Sequence, residues 1–152
     1  MAAGILCLIA AVFFLYGGRQ TLILVNADTG ALYAQWDCNN GDAFSVEFIH
    51  SVNKSPVCDL FEIRENTIYA AATRYSAFGA GVQTEITDGQ SLIYDSNGNM
   101  IVSGFQTPFP EVSYIVGTVS DHVLTIDGQR ISLTALCGKN APVAFRLQKT
   151  IF

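Results

Sequence analysis

The chain has 152 residues, half of them apolar and only 14% charged, with a net charge of −5 at neutral pH. Such a chain has the apolar surface to bury a core, which excludes intrinsic disorder, and its length suits one domain. Eight basic residues scattered among thirteen acidic ones exclude the clustered cations that neutralise phosphates, so no nucleic-acid partner is expected.

From Ala2 to Gly18 the sequence AAGILCLIAAVFFLYGG carries no charge, and Arg19 and Gln20 end the run. About 17 apolar residues is the shortest helix that crosses a bilayer core, and a run apolar all round has no polar face to turn to water. Residues 1–18 are therefore expected to be one transmembrane anchor, with the membrane as a partner, and residues 19–152 a single β domain. A cleaved signal peptide is the alternative. No Lys or Arg precedes the run, however, and cleavage at Val25-Asn26-Ala27 would cut a β-type stretch. A buried core segment is the third reading. Orientation rests on Arg19, which taken literally favours a cytoplasmic domain.

From about Leu22 the chain reads as strand and turn. Phe44, Val46, Phe48 and His50 share one face at period two, and Val57, Asp59, Phe61 and Ile63 share another. Further β-type runs are expected over 67–72, 91–94, 100–102, 113–119, 122–126, 131–136 and 143–147. Between them lie turn signals such as Asp28-Thr29-Gly30, Asn39-Asn40-Gly41-Asp42, Asp88-Gly89, Ser96-Asn97-Gly98-Asn99 and Asp127-Gly128, where Asn and Gly supply positive φ. Pro108 and Pro110, bracketing Phe109, are expected in a long loop between two halves of the sheet system. No amphipathic helix of useful length follows residue 20. The fold class expected is all-β, an antiparallel β-sandwich or barrel-like domain preceded by one transmembrane helix.

Little in the sequence declares a reaction. Of four cysteines, Cys7 lies in the apolar run, and Cys38, Cys58 and Cys137 allow at most one internal disulfide. No C-x-x-C and no close histidine pair is present, so no metal and no cofactor is expected, although a site of His50, His122 and a carboxylate is conceivable. His50, Asp59 and Ser51 or Ser55 invite a triad reading. There is no G-x-S-x-G elbow or serine-bearing oxyanion loop to complete it, so the protein is expected not to be an enzyme, and a hydrolase using His50 is the weakest reading.

Two strings stand apart from generic β sequence. In the first, Ser51 to Ser55 forms a polar turn that Pro56 closes by holding Ser55 extended. With the hairpin centred between Lys54 and Ser55, His50 faces Asp59 at about 5 Å between Cβ atoms, near enough for an imidazole–carboxylate hydrogen bond. That pair would either staple the hairpin or dock a ligand or partner. In the second string, Gly79-Ala80-Gly81 permits a tight bend or close backbone approach, with an anion-binding nest as the sharper alternative.

The segment from Phe48 to Phe61, the string Phe78-Gly79-Ala80-Gly81-Val82 and the Asp121-His122-Val123-Leu124 run ahead of Gly128 together resemble the bacterial and archaeal family catalogued as domain of unknown function eighteen-fifty. Asp59 stands where that family usually has glutamate, and Gln83-Thr84 where a proline is common. The resemblance implies a small protein encoded beside TAXI-type TRAP transporters, which pair a solute-binding protein with a fused permease. It implies a non-catalytic accessory role on the extracytoplasmic side, with the permease or its solute-binding protein as partner. A small-solute-binding or sensing module, taking an acidic solute, is the alternative. Candidate binding residues are His50, Ser51, Pro56, Asp59, Gly79, Ala80, Gly81 and His122.

Overall fold

The computed structural model describes residues 20–52, 54–76 and 85–149. The expected anchor over 1–18 and the Gly79-Ala80-Gly81 string lie outside these residues. Among the described residues no helix is long and apolar enough to cross a membrane.

The strands are β1 (Gln20–Asn26), β2 (Leu32–Cys38), β3 (Ala43–Ile49), β4 (Pro56–Arg64), β5 (Thr67–Tyr75), β6 (Ser91–Tyr94), β7 (Met100–Ser103), β8 (Pro108–Phe109), β9 (Glu111–Ile115), β10 (Val123–Ile126), β11 (Gln129–Ser132) and β12 (Pro142–Lys149), with one short helix, α1 (Leu133–Cys137). A four-stranded sheet runs in the order β2-β1-β12-β9. A larger one runs β11-β10-β3-β4-β5-β7-β6, with β8 on β5. All described pairings are antiparallel, as the sequence predicts.

The two sheets face each other through their alternating apolar rows. Leu22 and Leu24 on β1, Val143 and Phe145 on β12, and Val112 on β9 meet Phe44, Val46, Phe61, Ile63 and Leu124 of the larger sheet in one core. The Phe44 ring lies 5.1 Å from Phe61 within its sheet and 5.2 Å from Phe145 of the other. Full burial of each such side chain contributes about 1.5–3 kcal/mol, so these rows close the sandwich.

Three local expectations are corrected. The stretch 113–119 is strand only as far as Ile115. There the Val116 N–H turns to the Ala141 carbonyl, and the Gly117 N–H bonds to the His122 ring, leaving Val119 99% exposed. The run 131–136 splits into the end of β11 and α1, because the Ser132 side chain caps the helix by accepting the Ala135 N–H at 3.0 Å. In the expected loop around Phe109, Pro108 and Phe109 pair with Tyr69 and Ile68 of β5. That segment links the two sheets as foreseen, but as an added edge strand, a place where proline is tolerated.

The β3–β4 hairpin has a different register from the one expected. Ile49 pairs with Pro56 and Val46 with Asp59. The His50 N–H bonds to the Ser55 carbonyl at 2.9 Å, and the Lys54 N–H returns to the His50 carbonyl. His50 is thus opposite Ser55, and the postulated His50–Asp59 pair does not form. The reason is Pro56, which does not close the turn but begins the strand, a position that needs no N–H; its carbonyl accepts from the Ser76 N–H and hydroxyl. Lys54, at φ 54°, takes up the reversal.

Candidate functional site: an inter-sheet cleft ending at Asp59

Asp59 occupies the inward row of β4 between Val57 and Phe61, both buried. A carboxylate in an apolar row requires hydrogen-bond donors, and two elements supply them. Thr73, its cross-strand neighbour on β5, donates its hydroxyl to Oδ1 at 3.0 Å. Tyr114 on β9, in the opposite sheet, donates its phenol to Oδ2 at 2.8 Å. Burial, together with the Asp59 charge beside it, pushes the Tyr114 phenol far above its ordinary range. The phenol therefore keeps its proton and remains a donor.

His122 completes the cluster. Its ring stacks on Phe48 at 5.1 Å and 9° and meets Tyr114 at 5.7 Å, edge to face. Nδ1 accepts the Gly117 N–H at 3.0 Å, which places the proton of the neutral imidazole on Nε2. Burial lowers the histidine pKa from 6.5 against the opposing charges of Asp121 and Asp59, so the ring is neutral at physiological pH. Gly117 is required here because a Cβ at this position would run into the Ser120 carbonyl.

Beside Asp59 opens a cleft of about 530 Å³. Its room comes from a bulge: Leu60 pairs with Ala72 but Phe61 with Ala70, so β5 carries one extra residue. Ala70, opposite Phe61 on the inward face, lines the cleft, and its methyl group fills little of the space a longer side chain would take. The aromatic wall includes Phe61, Phe105, Phe109 and Tyr114. At the rim, Glu111 accepts from Arg146 Nε at 2.7 Å, so its charge is already matched. Among the described residues no lysine or arginine lines the cleft.

The structure thus brings together Asp59 and His122 of the residues singled out by sequence, and separates them from the turn. His50 sits at the turn, where its Nδ1 accepts the Val52 N–H at 3.3 Å. Ser51 is exposed in the same turn and Pro56 opens β4. Thr73, Tyr114, Ala70 and Ala72 were not foreseen; the only sequence signal was that an inward Asp59 must find donors from elsewhere. No group of three or more His, Cys, Asp or Glu side chains among the described residues is placed to hold a metal. Cys38, Cys58 and Cys137 are free thiols, and burial raises the pKa of each, against the thiolate that nucleophilic chemistry needs.

On the outer face of the same strands a second depression of about 350 Å³ holds Glu47, Cys58, Arg74 and Asn99. Glu47 is matched there by Arg74 at 3.5 Å and Arg130 at 3.1 Å. Partly exposed pairs of this kind contribute about 0.2–1 kcal/mol each, and they leave no charge unanswered.

No curated protein and no solved structure matches the chain. The family model described as "Domain of unknown function (DUF1850)" matches residues 44–133, which run from β3 into α1 and include Asp59, Thr73, Tyr114 and His122. With well over half its length matched, the chain belongs to the DUF1850 family.

Proposed function

We propose that this protein is a non-catalytic accessory of a TAXI-type TRAP solute transporter, anchored through residues 1–18 with its β domain on the extracytoplasmic side, and that the inter-sheet cleft is its recognition surface. The observation that carries the binding role is the cleft itself, an open, aromatic-walled space ending at a polar cluster. Asp59 spends two of its acceptor sites on Thr73 and Tyr114, and His122 spends Nδ1 on a backbone amide. Among the described residues neither is hydrogen-bonded to a serine or cysteine, the arrangement that nucleophilic catalysis uses. The transporter as partner follows from the family resemblance. The test is capture from membranes with the tagged full-length chain, alongside an Ala70→Phe variant that fills the cleft from its inward alanine. The permease should co-purify with the wild type and fall by at least about tenfold with the variant, a difference of about 1.4 kcal/mol, while both melt alike. An eluate without permease or its solute-binding protein overturns the accessory role.

The size of the cleft favours a second reading, a solute-binding or sensing module, since small-molecule pockets span about 300–1,000 Å³. In that case a solute stabilises the isolated chain by mass action without any permease.

A further inference from the structure

We infer that the cleft takes a small organic cation, an amine carried on an apolar or aromatic body, with its ammonium on Asp59. The inference rests on the reading that the cleft is a recognition site and adds the chemistry of what it recognises.

Charge is the first argument. Asp59 is half-buried in an apolar row, and among the described residues its two hydrogen-bond donors are neutral hydroxyls. Two other carboxylates are differently placed. Glu111 is matched by Arg146, and Glu47, on the outer face, by Arg74 and Arg130. The imidazole of His122 feels the Asp59 charge, but burial favours its neutral form. A partly desolvated carboxylate without a cation is costly unless something supplies one. Its two oxygens offer about four acceptor sites, of which Thr73 and Tyr114 use two.

Shape is the second. The space beside Asp59 is lined by Phe61, Phe105, Phe109 and Ala70 of the bulged strand, so a ligand body there is buried against rings. Rings also attract a cation through their negative faces. An anion would meet Asp59 with no lysine or arginine among the described wall residues to offset it.

The experiment uses the full-length chain and three probes of nearly one size: phenethylamine, 2-phenylethanol and phenylacetate. Their dissociation constants are read by saturation-transfer nuclear magnetic resonance. Phenethylamine should bind at least about tenfold tighter than the alcohol, and phenylacetate weaker than both. Asp59→Asn should bring the amine down to the level of the alcohol, and Ala70→Phe should remove both. Equal binding of amine and alcohol to the wild type overturns the inference without recourse to any variant. So does an amine preference that survives in folded Asp59→Asn. If none of the probes binds while Ala70→Phe still abolishes permease capture, the cation assignment fails and the accessory role stands. If the amine binds and no permease is ever captured, the accessory role fails and the cation assignment stands.

Discussion

The space between the two sheets is filled in two ways along β3. Around Phe44 the rings of Phe61 and Phe145 sit at 5.1 and 5.2 Å, and Leu22, Leu24, Ile63 and Leu124 complete a fully apolar block. At Phe48 the facing groups are Tyr114 and His122, and Tyr114 reaches on to Asp59. The first region holds the sheets together by area and dispersion, which reward complete filling. The second holds them by directed hydrogen bonds, which fix a few atoms and leave room alongside. The cleft opens at Asp59 and Tyr114 of the second region and touches the first only through Phe61 and Val112. Stability and recognition are thus separated along one interface.

Phe145→Ala should break that division most severely. Removing a fully buried ring that touches Phe44 costs about 3–5 kcal/mol, measured by denaturant unfolding of the full chain. Probe binding by the fraction that remains folded should be unchanged. If the loss is below about 1 kcal/mol, the apolar block is not what closes the sandwich.

Tyr114→Phe tests the polar region with almost no change in shape. It takes one donor from a half-buried carboxylate, a loss of about 1–3 kcal/mol. Unlike Phe145→Ala, it should also alter amine binding, since Asp59 loses the bond that orients it. A variant as stable as the wild type would mean that the phenol–carboxylate bond contributes nothing net to sheet–sheet docking.

The smallest effect concerns pH. Burial lowers the His122 pKa in the folded chain, with Asp121 and Asp59 opposing the shift. The unfolded chain therefore takes up this proton near the ordinary value of 6.5, and the folded chain only at lower pH. The stability that neutral His122 contributes is complete above that ordinary value. It is lost as pH falls through the folded value, because the unfolded state then binds more protons. Protonation would also turn Nδ1 from an acceptor into a donor pointing at the Gly117 N–H. Unfolding free energies compared between about pH 7.5 and about pH 5 should show a steeper fall in the wild type than in His122→Gln. Parallel curves would place the titration elsewhere.

Much of the fold was legible because it depends on local patterns. The alternation in β3 and β4 foretold which residues would be buried, and Asp127-Gly128, at φ 49° and 72°, forms the tight turn its composition announces. The turn at Glu65 and Asn66, at φ 49° and 60°, was missed because glutamate is an ordinary residue that the β4–β5 register forces into a left-handed conformation. The hairpin register was misjudged for a related reason. Pro56 looks the same in sequence whether it ends a turn or starts a strand, and only the pairing with Ile49 decides between them.

The sequence by itself determined that the domain is antiparallel β, that Asp59 points inward with Val57 and Phe61, and that its charge would need partners. Each of these follows from the two-residue period of a strand and from the cost of burying an unpaired polar group. Which partners Asp59 meets was decided only in three dimensions. Tyr114 lies 55 residues away, on a strand of the other sheet, and nothing local to either residue encodes the meeting. The cleft has the same origin. Its room comes from one extra residue in β5, and its walls come from two sheets that face each other only after both have formed.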